Sequence, residues 1–301
     1  MTMSADIQHI VRPVVTRFAP SPTGRLHIGH AWSALMAMDM ARTGGGVLRL
    51  RIEDIDGVRS RPEHVAGIIE DLRWLGVEWD GEVMFQSARL ALYDAALDRL
   101  KADGLVYPCF CTRAEIAAEI AASGSAPHGS GGPLYPGTCR LLSDQERAER
   151  IDAHEPHCWR LDMARAVARA GPLSWQDMDR GTITAHPERA GDVILARKDA
   201  PTSYHLAATV DDAEMGITHV LRGDDLLSAT DIHRLLQALL GLPSPLYRHH
   251  LLLADAQGKR LAKRTGGIAL ADLREQGVNP AHLREDLRAE RFPVGIRLLS
   301  A

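Results

Sequence analysis

The amino-acid sequence predicts an α/β fold built on a parallel sheet that an inserted region interrupts. Residues 14–54 follow the order strand, loop, helix, strand, which is the pattern of a βαβ unit with parallel strands. Strand and helix patterns return after residue 190, and a polar, weakly periodic stretch separates the two halves. We therefore divide the chain into 11–107 as the first half of the sheet domain, 108–190 as the insertion, 191–250 as the second half, and 251–301 as a basic loop with a short helical tail.

The first half of the sheet domain is predicted from apolar runs that proline and glycine separate. A strand over 13–18 leads into a loop stiffened by Pro20 and Pro22, and a helix over 29–41 follows until three consecutive glycines end it. The next strand, 47–52, finishes in acidic residues, so its carboxylates reach the same sheet edge as the preceding loop. Further helices are expected over 62–75 and 88–100.

The insertion and the second half are predicted in the same way. The insertion contains a helix over 112–122 and a loop over 123–133 that is rich in Gly, Ser and Pro. The parallel sheet is expected to resume at 192–195. The remaining expected elements are a helix over 204–209, a strand over 218–222, a helix over 228–240 ended by Gly241 and Pro243, a strand over 246–253, and short helices over 270–276 and 280–290.

Composition and charge exclude several classes of protein. The chain has 301 residues, of which 45% are hydrophobic and 25% charged, as in ordinary globular domains. The formal net charge of -4 disfavours a protein that coats nucleic acid by bulk electrostatics, so any RNA contact is expected to be local. No apolar run reaches the roughly 18 residues of a membrane span, and residues 1–12 lack the apolar core of a signal peptide, which predicts a cytoplasmic protein.

Two loops carry residues suited to phosphate chemistry. His27 and His30 flank Gly29 where the first helix begins, at the edge where open α/β sheets bind nucleotides. Lys263 lies in the basic loop 258–267, which has glycines at both ends and can close over a triphosphate. Imidazoles, backbone N–H groups and a mobile lysine can stabilise an adenylyl transfer without a covalent enzyme intermediate. Taken singly, the two motifs are equally consistent with a histidine helix cap and a solvated basic loop.

Five ordered segments of the chain resemble the class I aminoacyl-tRNA synthetases of the glutamyl type. Residues 17–30 resemble the "HIGH" region of that family and 260–264 its "KMSKS" region, with Ala262 at the usual serine position. The segments 51–56, 204–207 and 220–225 resemble other glutamyl-type segments, and all five occur in the family's order. The resemblance implies a Rossmann-type catalytic domain and ATP-dependent activation of L-glutamate, with Mg²⁺ accompanying the ATP.

The resemblance also implies roles for individual residues. Glutamate would be bound by Arg17, Ala19, Ser21, Glu53, Tyr204 and Arg222, and ATP by His27, Gly29, His30, Arg260 and Lys263, with His27, His30 and Lys263 as the catalytic residues. The residue chemistry agrees with glutamate, because a dicarboxylate with an α-ammonium group needs fixed cations and one anion in a dry pocket.

Three of the four cysteines lie in one window and indicate a metal site. In a reducing compartment, such clustering favours metal binding over disulfides, and the three cysteines are Cys109, Cys111 and Cys139. A tetrahedral zinc site needs one further ligand. The residues leave that ligand open among Tyr135, Cys158, His157, His154 and His128. The order Cys-x-Cys followed by Tyr-x-x-x-Cys resembles the zinc motif of a short glutamyl-type subgroup. This implies Tyr135 as the fourth ligand and one structural Zn²⁺ in a module that contacts tRNA.

The region after the basic loop determines the expected acceptor. Only residues 268–301 follow that loop, which is too short for an anticodon-binding domain, so we expect none. Together with the zinc motif, this resembles the short paralogues of the family that form the adenylate without tRNA and attach glutamate to the queuosine base in the anticodon of tRNA(Asp). The expected partners are L-glutamate, ATP and tRNA(Asp) carrying queuosine, and we expect a monomer.

Three alternatives to this hypothesis remain at the level of sequence. A conventional glutamyl-tRNA synthetase would act on a tRNA 3′ end. A class I-like nucleotidyltransferase would activate a small acid without an RNA partner. A catalytically silent, zinc-containing paralogue would bind RNA only.

Overall fold

The computed structural model describes residues 13–116, 128–129, 132–255, 257–259, 261 and 268–299. Its strands are β1 (Val15–Phe18), β2 (Val47–Ile52), β3 (Met84–Phe85), β4 (Val106–Cys109), β5 (His128–Gly129), β6 (Gly132–Pro133), β7 (Cys158–Leu161), β8 (Ser174–Asp177), β9 (Gly181–Thr184), β10 (Ile194–Ala196), β11 (His219–Gly223), β12 (Leu246–His250), β13 (Leu253–Ala254) and β14 (Arg297–Leu298). Its α-helices are α1 (Ile28–Thr43), α2 (Pro62–Leu75), α3 (Leu90–Ala102), α4 (Asp144–Asp152), α5 (Met163–Ala170), α6 (Tyr204–Glu214), α7 (Leu227–Leu240), α8 (Leu270–Glu275) and α9 (Pro280–Arg288). The predicted helix over 112–122 and loop over 123–133 lie partly outside the described residues.

Two sets of parallel strands meet at β1 and β11. On one side β1 pairs in parallel with β2, and β2 with β3; on the other, β11 pairs in parallel with β12, and β12 with β8. The backbone N–H of Thr218 donates to the carbonyl of Val15 at 2.8 Å, which joins the amino-terminal ends of β1 and β11. The predicted parallel α/β fold and its βαβ unit are therefore confirmed, and the strand order reverses direction between β1 and β11.

One strand belongs to a different sheet from the one we predicted. The parallel sheet does not resume at 192–195, because β10 pairs antiparallel with β7, and β7 pairs antiparallel with β4. An apolar run identifies a buried strand but carries no information about which strand lies beside it. The predicted strand over 246–253 is also divided, since its last part, β13, pairs antiparallel with β14.

Helix α1 packs its apolar side against the β1–β2 pair and forms much of the core. Its buried residues include Ile28, Ala31, Leu35 and Met38, which recur at the spacing of one helical face. In the described part of the chain, no helix has both the length and the apolar character that crossing a membrane requires.

Candidate active site

A cavity of about 550 Å³ opens at the carboxyl ends of β1 and β11, where the strand order reverses. Open α/β sheets bind ligands at such a position. The structure brings these sequence-predicted residues to the cavity wall: Arg17, Ala19, Ser21, His27, Gly29, His30, Glu53, Tyr204 and Arg222. Arg260, Ala262 and Lys263 lie outside the described residues, but Leu261 between them lines the same cavity.

His27 and His30 cap the amino terminus of α1 and also line the cavity. Nδ1 of His27 accepts from the backbone N–H of Gly29 at 3.1 Å, and Nδ1 of His30 accepts from the N–H of His27 at 3.1 Å. Because an accepting Nδ1 carries no proton, each neutral ring carries its proton on Nε2 and is a donor there. A Cβ on Gly29 would lie 3.1 Å from Cε1 of His27, so a side chain would press on the ring. The helix-cap interpretation is thus confirmed, and it is compatible with a ligand-binding role.

A buried network of four charged side chains lies beside the cavity. Oδ1 of Asp212 accepts from Nε of Arg17 at 3.0 Å and from Nη1 of Arg51 at 2.6 Å. Nη2 of Arg51 donates to Oε1 of Glu53 at 3.1 Å. We predicted Arg17 and Glu53 as site residues but missed Arg51 and Asp212. The feature that could have identified Arg51 is a charge within a largely apolar strand, β2. The corresponding feature for Asp212 is a charge within α6, a helix that is mostly buried.

Burial and neighbouring charges shift the pKa values of the two carboxyl groups in this network. Burial raises the pKa of Glu53, although Arg51 beside it acts in the opposite direction. Burial also acts to raise the pKa of Asp212, but Arg17 and Arg51 outweigh it and hold the pKa below its usual value. Arg17, Glu53 and Arg222 line the cavity together with Asp225, and Arg51 and Asp212 complete the network behind this wall. Arg17 is ion-paired with Asp212, and Glu53 with Arg51.

Arg222 is held by neutral groups. Its Nε donates to Nε2 of His249 at 3.2 Å, and its Nη2 donates to Oγ1 of Thr230 at 2.6 Å. Its Nη1 lies 3.2 Å from Nδ1 of His233 and 3.4 Å from the Tyr204 hydroxyl. Sequence reasoning found Tyr204 but missed Thr230 and the two histidines, which lie on a helix and a strand that showed only apolar periodicity.

A smaller chamber of about 130 Å³ adjoins the main cavity and shares part of its wall. The shared residues are Ser21, Thr23, Glu53 and Tyr204, and the chamber continues to Asp56, Arg59, Gln86, Arg197 and Thr202. Its lining is therefore mostly polar and charged, which suits a hydrogen-bonding ligand more than an apolar one.

Cys109, Cys111 and Cys139 form a cluster whose sulfur atoms all lie within 4.8 Å of one another. Tetrahedral Zn²⁺ with Zn–S bonds of about 2.3 Å holds its sulfurs about 3.8 Å apart, and the Cys111 and Cys139 sulfurs are separated by 3.4 Å. A hydrogen bond from Cys158 holds the pKa of Cys109 below its usual value, and Arg160 acts in the same direction. The donor set and its spacing fit a thiophilic divalent ion.

The predicted fourth ligand lies beside this cluster. The Tyr135 hydroxyl is 3.6 Å from the Cys111 sulfur and accepts from the backbone N–H of Cys139 at 2.9 Å. Among the described residues, the ligand atoms that lie within 4.8 Å of one another do not include those of Cys158, His154 or His157. The side chain of His128 is not among the parts of the chain that the structure describes.

Residues 13–295 match the family described as "tRNA synthetases class I (E and Q), catalytic domain". The chain is 50% identical to "Glutamyl-Q tRNA(Asp) synthetase" of Rhodobacter capsulatus, a match that covers 90% of this chain and 98% of the relative. It is 45% identical to the protein of the same name from Symbiobacterium thermophilum, over 88% of this chain and 82% of the relative. It is 42% identical to "Glutamate--tRNA ligase 2" of Methylobacterium sp., over 88% of this chain but 58% of that relative.

Solved structures show the same relationship. A glutamate tRNA ligase from Elizabethkingia meningosepticum, in complex with its amino acid, superposes with a TM-score of 0.71 at 31% identity. The superposition covers 85% of this chain and 53% of that one, so this chain corresponds to about half of the larger protein.

Proposed function

Because the chain belongs to the class I tRNA synthetase family of glutamate and glutamine catalytic domains, and is a ligase of that family, we propose that it activates L-glutamate with ATP. In this proposal it forms glutamyl-adenylate without tRNA and then transfers glutamate to the queuosine base in the anticodon of tRNA(Asp). The second step is supported by the relatives named "Glutamyl-Q tRNA(Asp) synthetase". The one from Rhodobacter capsulatus is matched over 98% of its length.

A buried arginine in the wall of the main cavity is the observation that carries the first step. Arg222 is buried and lines the cavity, and no ion pair among the described residues includes it, whereas Arg17 and Glu53 are paired with Asp212 and Arg51. Glutamate carries two carboxylates, one of which would supply the counter-charge that Arg222 lacks. Unmatched charges in a closed pocket cost several kcal/mol. Arg222 is suited to a substrate carboxylate, and Glu53 and Tyr204 are suited to its ammonium group.

The histidine loop is suited to the nucleotide. A carboxylate oxygen of glutamate attacks the α-phosphorus of ATP, the bond to the bridging oxygen breaks, and pyrophosphate leaves with that electron pair. Nε2–H groups of His27 and His30 would donate to phosphate oxygens as negative charge builds up on them. Their orientation is set in advance by the cap of α1, so little reorganisation is needed in the transition state. Lys263 and Arg260 are proposed to add positive charge from the basic loop, and Mg²⁺ bound with ATP would neutralise phosphate charge.

The smaller chamber is proposed to admit the acceptor base. Ser21, Thr23, Glu53 and Tyr204 line both the chamber and the main cavity. A nucleophile bound in the chamber would therefore lie beside the carbonyl of the adenylate. Attack on that carbonyl forms the bond to the base and breaks the bond between the carbonyl carbon and the phosphate oxygen, so AMP leaves with that electron pair and the proton of the nucleophile passes to solvent.

The cysteine cluster is proposed to hold one structural Zn²⁺ through Cys109, Cys111, Cys139 and Tyr135. When bound, the metal would tie the segment around Cys139 to the end of β4 and add folding free energy to the insertion.

Two assays test the proposal. Purified protein is expected to catalyse glutamate-dependent exchange of pyrophosphate into ATP without tRNA, and absence of exchange would favour the RNA-binding paralogue. Radiolabelled glutamate is then offered with tRNA(Asp) that has or lacks queuosine, after periodate has blocked the 3′ end. Label that needs queuosine and survives the block supports the proposal, whereas label that the block abolishes identifies a conventional glutamyl-tRNA synthetase. Exchange without transfer to any RNA would favour the nucleotidyltransferase.

A further inference from the structure

Arg222 differs from Arg17 in how its positive charge is matched. Arg17 forms an ion pair with Asp212 at 3.0 Å, whereas no ion pair among the described residues includes Arg222. Arg222 is nonetheless buried, with 5% of its surface exposed, and lines the cavity. A buried guanidinium held only by neutral acceptors keeps its full attraction for an anionic ligand.

A chain of hydrogen bonds assigns the protons around Arg222. Nδ1 of His249 lies 2.8 Å from Oδ2 of Asp177, so the ring donates there and its Nε2 is left as an acceptor for Nε–H of Arg222. The Thr230 hydroxyl accepts from Nη2 of Arg222 at 2.6 Å, and its single proton can be donated to the carbonyl of Leu226 at 3.5 Å, which leaves the lone pair of His249 Nε2 to Arg222.

His233 occupies the opposite side of the guanidinium in a similar way. Its Nδ1 faces Nη1 of Arg222 at 3.2 Å and accepts from it, so its own proton resides on Nε2. That Nε2 lies 3.2 Å from Nδ1 of His205, which can accept a hydrogen bond from it. Each ring therefore has one tautomer in which its hydrogen bonds pair a donor with an acceptor. Asp177 determines the tautomer of His249, at one end of this series of hydrogen bonds.

The rings stay neutral at physiological pH, which this arrangement requires. Burial, reinforced by the charge of Arg222, lowers the pKa of His205 to about 4. Burial also lowers the pKa of His249 to about 4, although Asp177 acts in the opposite direction, and it holds the pKa of His233 well below its usual value.

We propose that Asp177, His249 and His233 are positioning residues that hold Arg222 as a fixed, uncompensated cation for a carboxylate of the amino-acid substrate. They act by presenting only imidazole acceptors to the guanidinium, so Arg222 is oriented without being neutralised. The inference rests on the proposed glutamate activation and adds to it how the carboxylate receptor is built.

The substitution Asp177→Asn tests the assignment with an almost unchanged shape. Oδ1 of Asp177 accepts from the backbone N–H groups of Asp179 and Arg180, both at 3.0 Å, so the Asn oxygen is expected to remain there. Its amide N–H₂ then faces Nδ1 of His249 and forces the proton of that ring onto Nε2, against Nε–H of Arg222. We expect KM for glutamate in the exchange reaction to rise at least tenfold, with KM for ATP and kcat within about twofold. Asp179→Asn is the matched control, because that exposed carboxylate pairs with Arg248 outside the chain of histidines, and it should leave KM unchanged.

Histidine ¹⁵N spectra provide a readout that does not depend on glutamate activation. The wild-type protein should show His249 protonated at Nδ1, and Asp177→Asn should shift the proton to Nε2. A wild-type ring protonated at Nε2, or a reversed tautomer with unchanged KM for glutamate, would overturn the inference. Wild-type protein that lacks exchange activity but has the expected tautomers would instead contradict the proposed function.

A second pair of variants addresses His233. Glutamine can present an amide oxygen to Arg222 and an N–H to His205, so His233→Gln should retain KM for glutamate within about threefold. His233→Leu removes the acceptor and should raise KM at least tenfold. Equal KM values in the two variants would show that His233 acts only as packing.

Discussion

Asp212→Asn should destabilise the protein by leaving buried guanidinium charge uncompensated. Oδ1 of Asp212 accepts from both Arg17 and Arg51, and Arg51 has 0% of its surface exposed. The substitution keeps an oxygen at this position but removes the negative charge, so two arginines share the remaining Glu53 and the more distant Asp211, 3.9 Å from Arg51.

The size of the effect follows from burial. Removing one partner of a buried pair costs about 3–5 kcal/mol, and we take about 3 kcal/mol because the amide oxygen retains part of the hydrogen bonding. With an unfolding entropy of about 2.1 cal/mol/K per residue, a chain of 301 residues loses about 5 °C in Tm.

The assay is thermal unfolding at neutral pH, followed by circular dichroism. Asp98→Asn is the control, because it removes an exposed ion pair with Lys101 and should not change Tm measurably. A Tm for Asp212→Asn within about 1 °C of wild type would show that Arg51 relaxes or recruits water, and would refute the charge argument.

Three further predictions address the histidine cap, the metal cluster and the buried histidines. His27→Asn preserves a side-chain acceptor for the helix cap but removes the imidazole donor, so Tm should be nearly unchanged while kcat for adenylate formation falls about 10²-fold or more; an unchanged kcat would remove His27 from catalysis. Cys139→Ser should lower zinc content measured by atomic emission while Cys158→Ser should not, and undiminished zinc in Tyr135→Phe would remove Tyr135 as a ligand. The pKa values of His205 and His249 are lowered to about 4, so between about 6.5 and 4 the unfolded chain binds more protons than the native one, and the free energy of unfolding should fall as pH is lowered through that window. His205→Gln should flatten this dependence in denaturant titrations at several pH values, and an equally steep dependence would contradict the neutral-ring assignment.

Residues at strand ends were the part of the candidate site that sequence reasoning could predict. His27 follows β1, Glu53 follows β2 and Arg222 lies near the end of β11, and parallel strands bring their carboxyl ends to one edge of a sheet. Once the strands were identified, the convergence of these residues on one cavity followed from topology. Lys263 and Arg260 themselves lie outside the described residues, so their roles stay predictions.

The sequence by itself determined the α/β class, the βαβ unit at the start of the fold and the identity of the strand-end residues, because hydrophobic periodicity and loop chemistry are local properties of the chain. It did not predict the helices and strands of the insertion between residues 144 and 184, where the periodicity is weak. Only the tertiary structure decided which groups compensate one another: Arg51 meets Asp212 across 161 residues, and His249 meets Asp177 across 72. A charged residue within β2 signals that some partner exists, but nothing in the local pattern of β2 or β12 identifies which residue it is, just as nothing around β10 indicated that it pairs with β7. Pairing of distant groups depends on how whole elements pack, and here that packing leaves Arg17 neutralised by a carboxylate and Arg222 held among neutral rings.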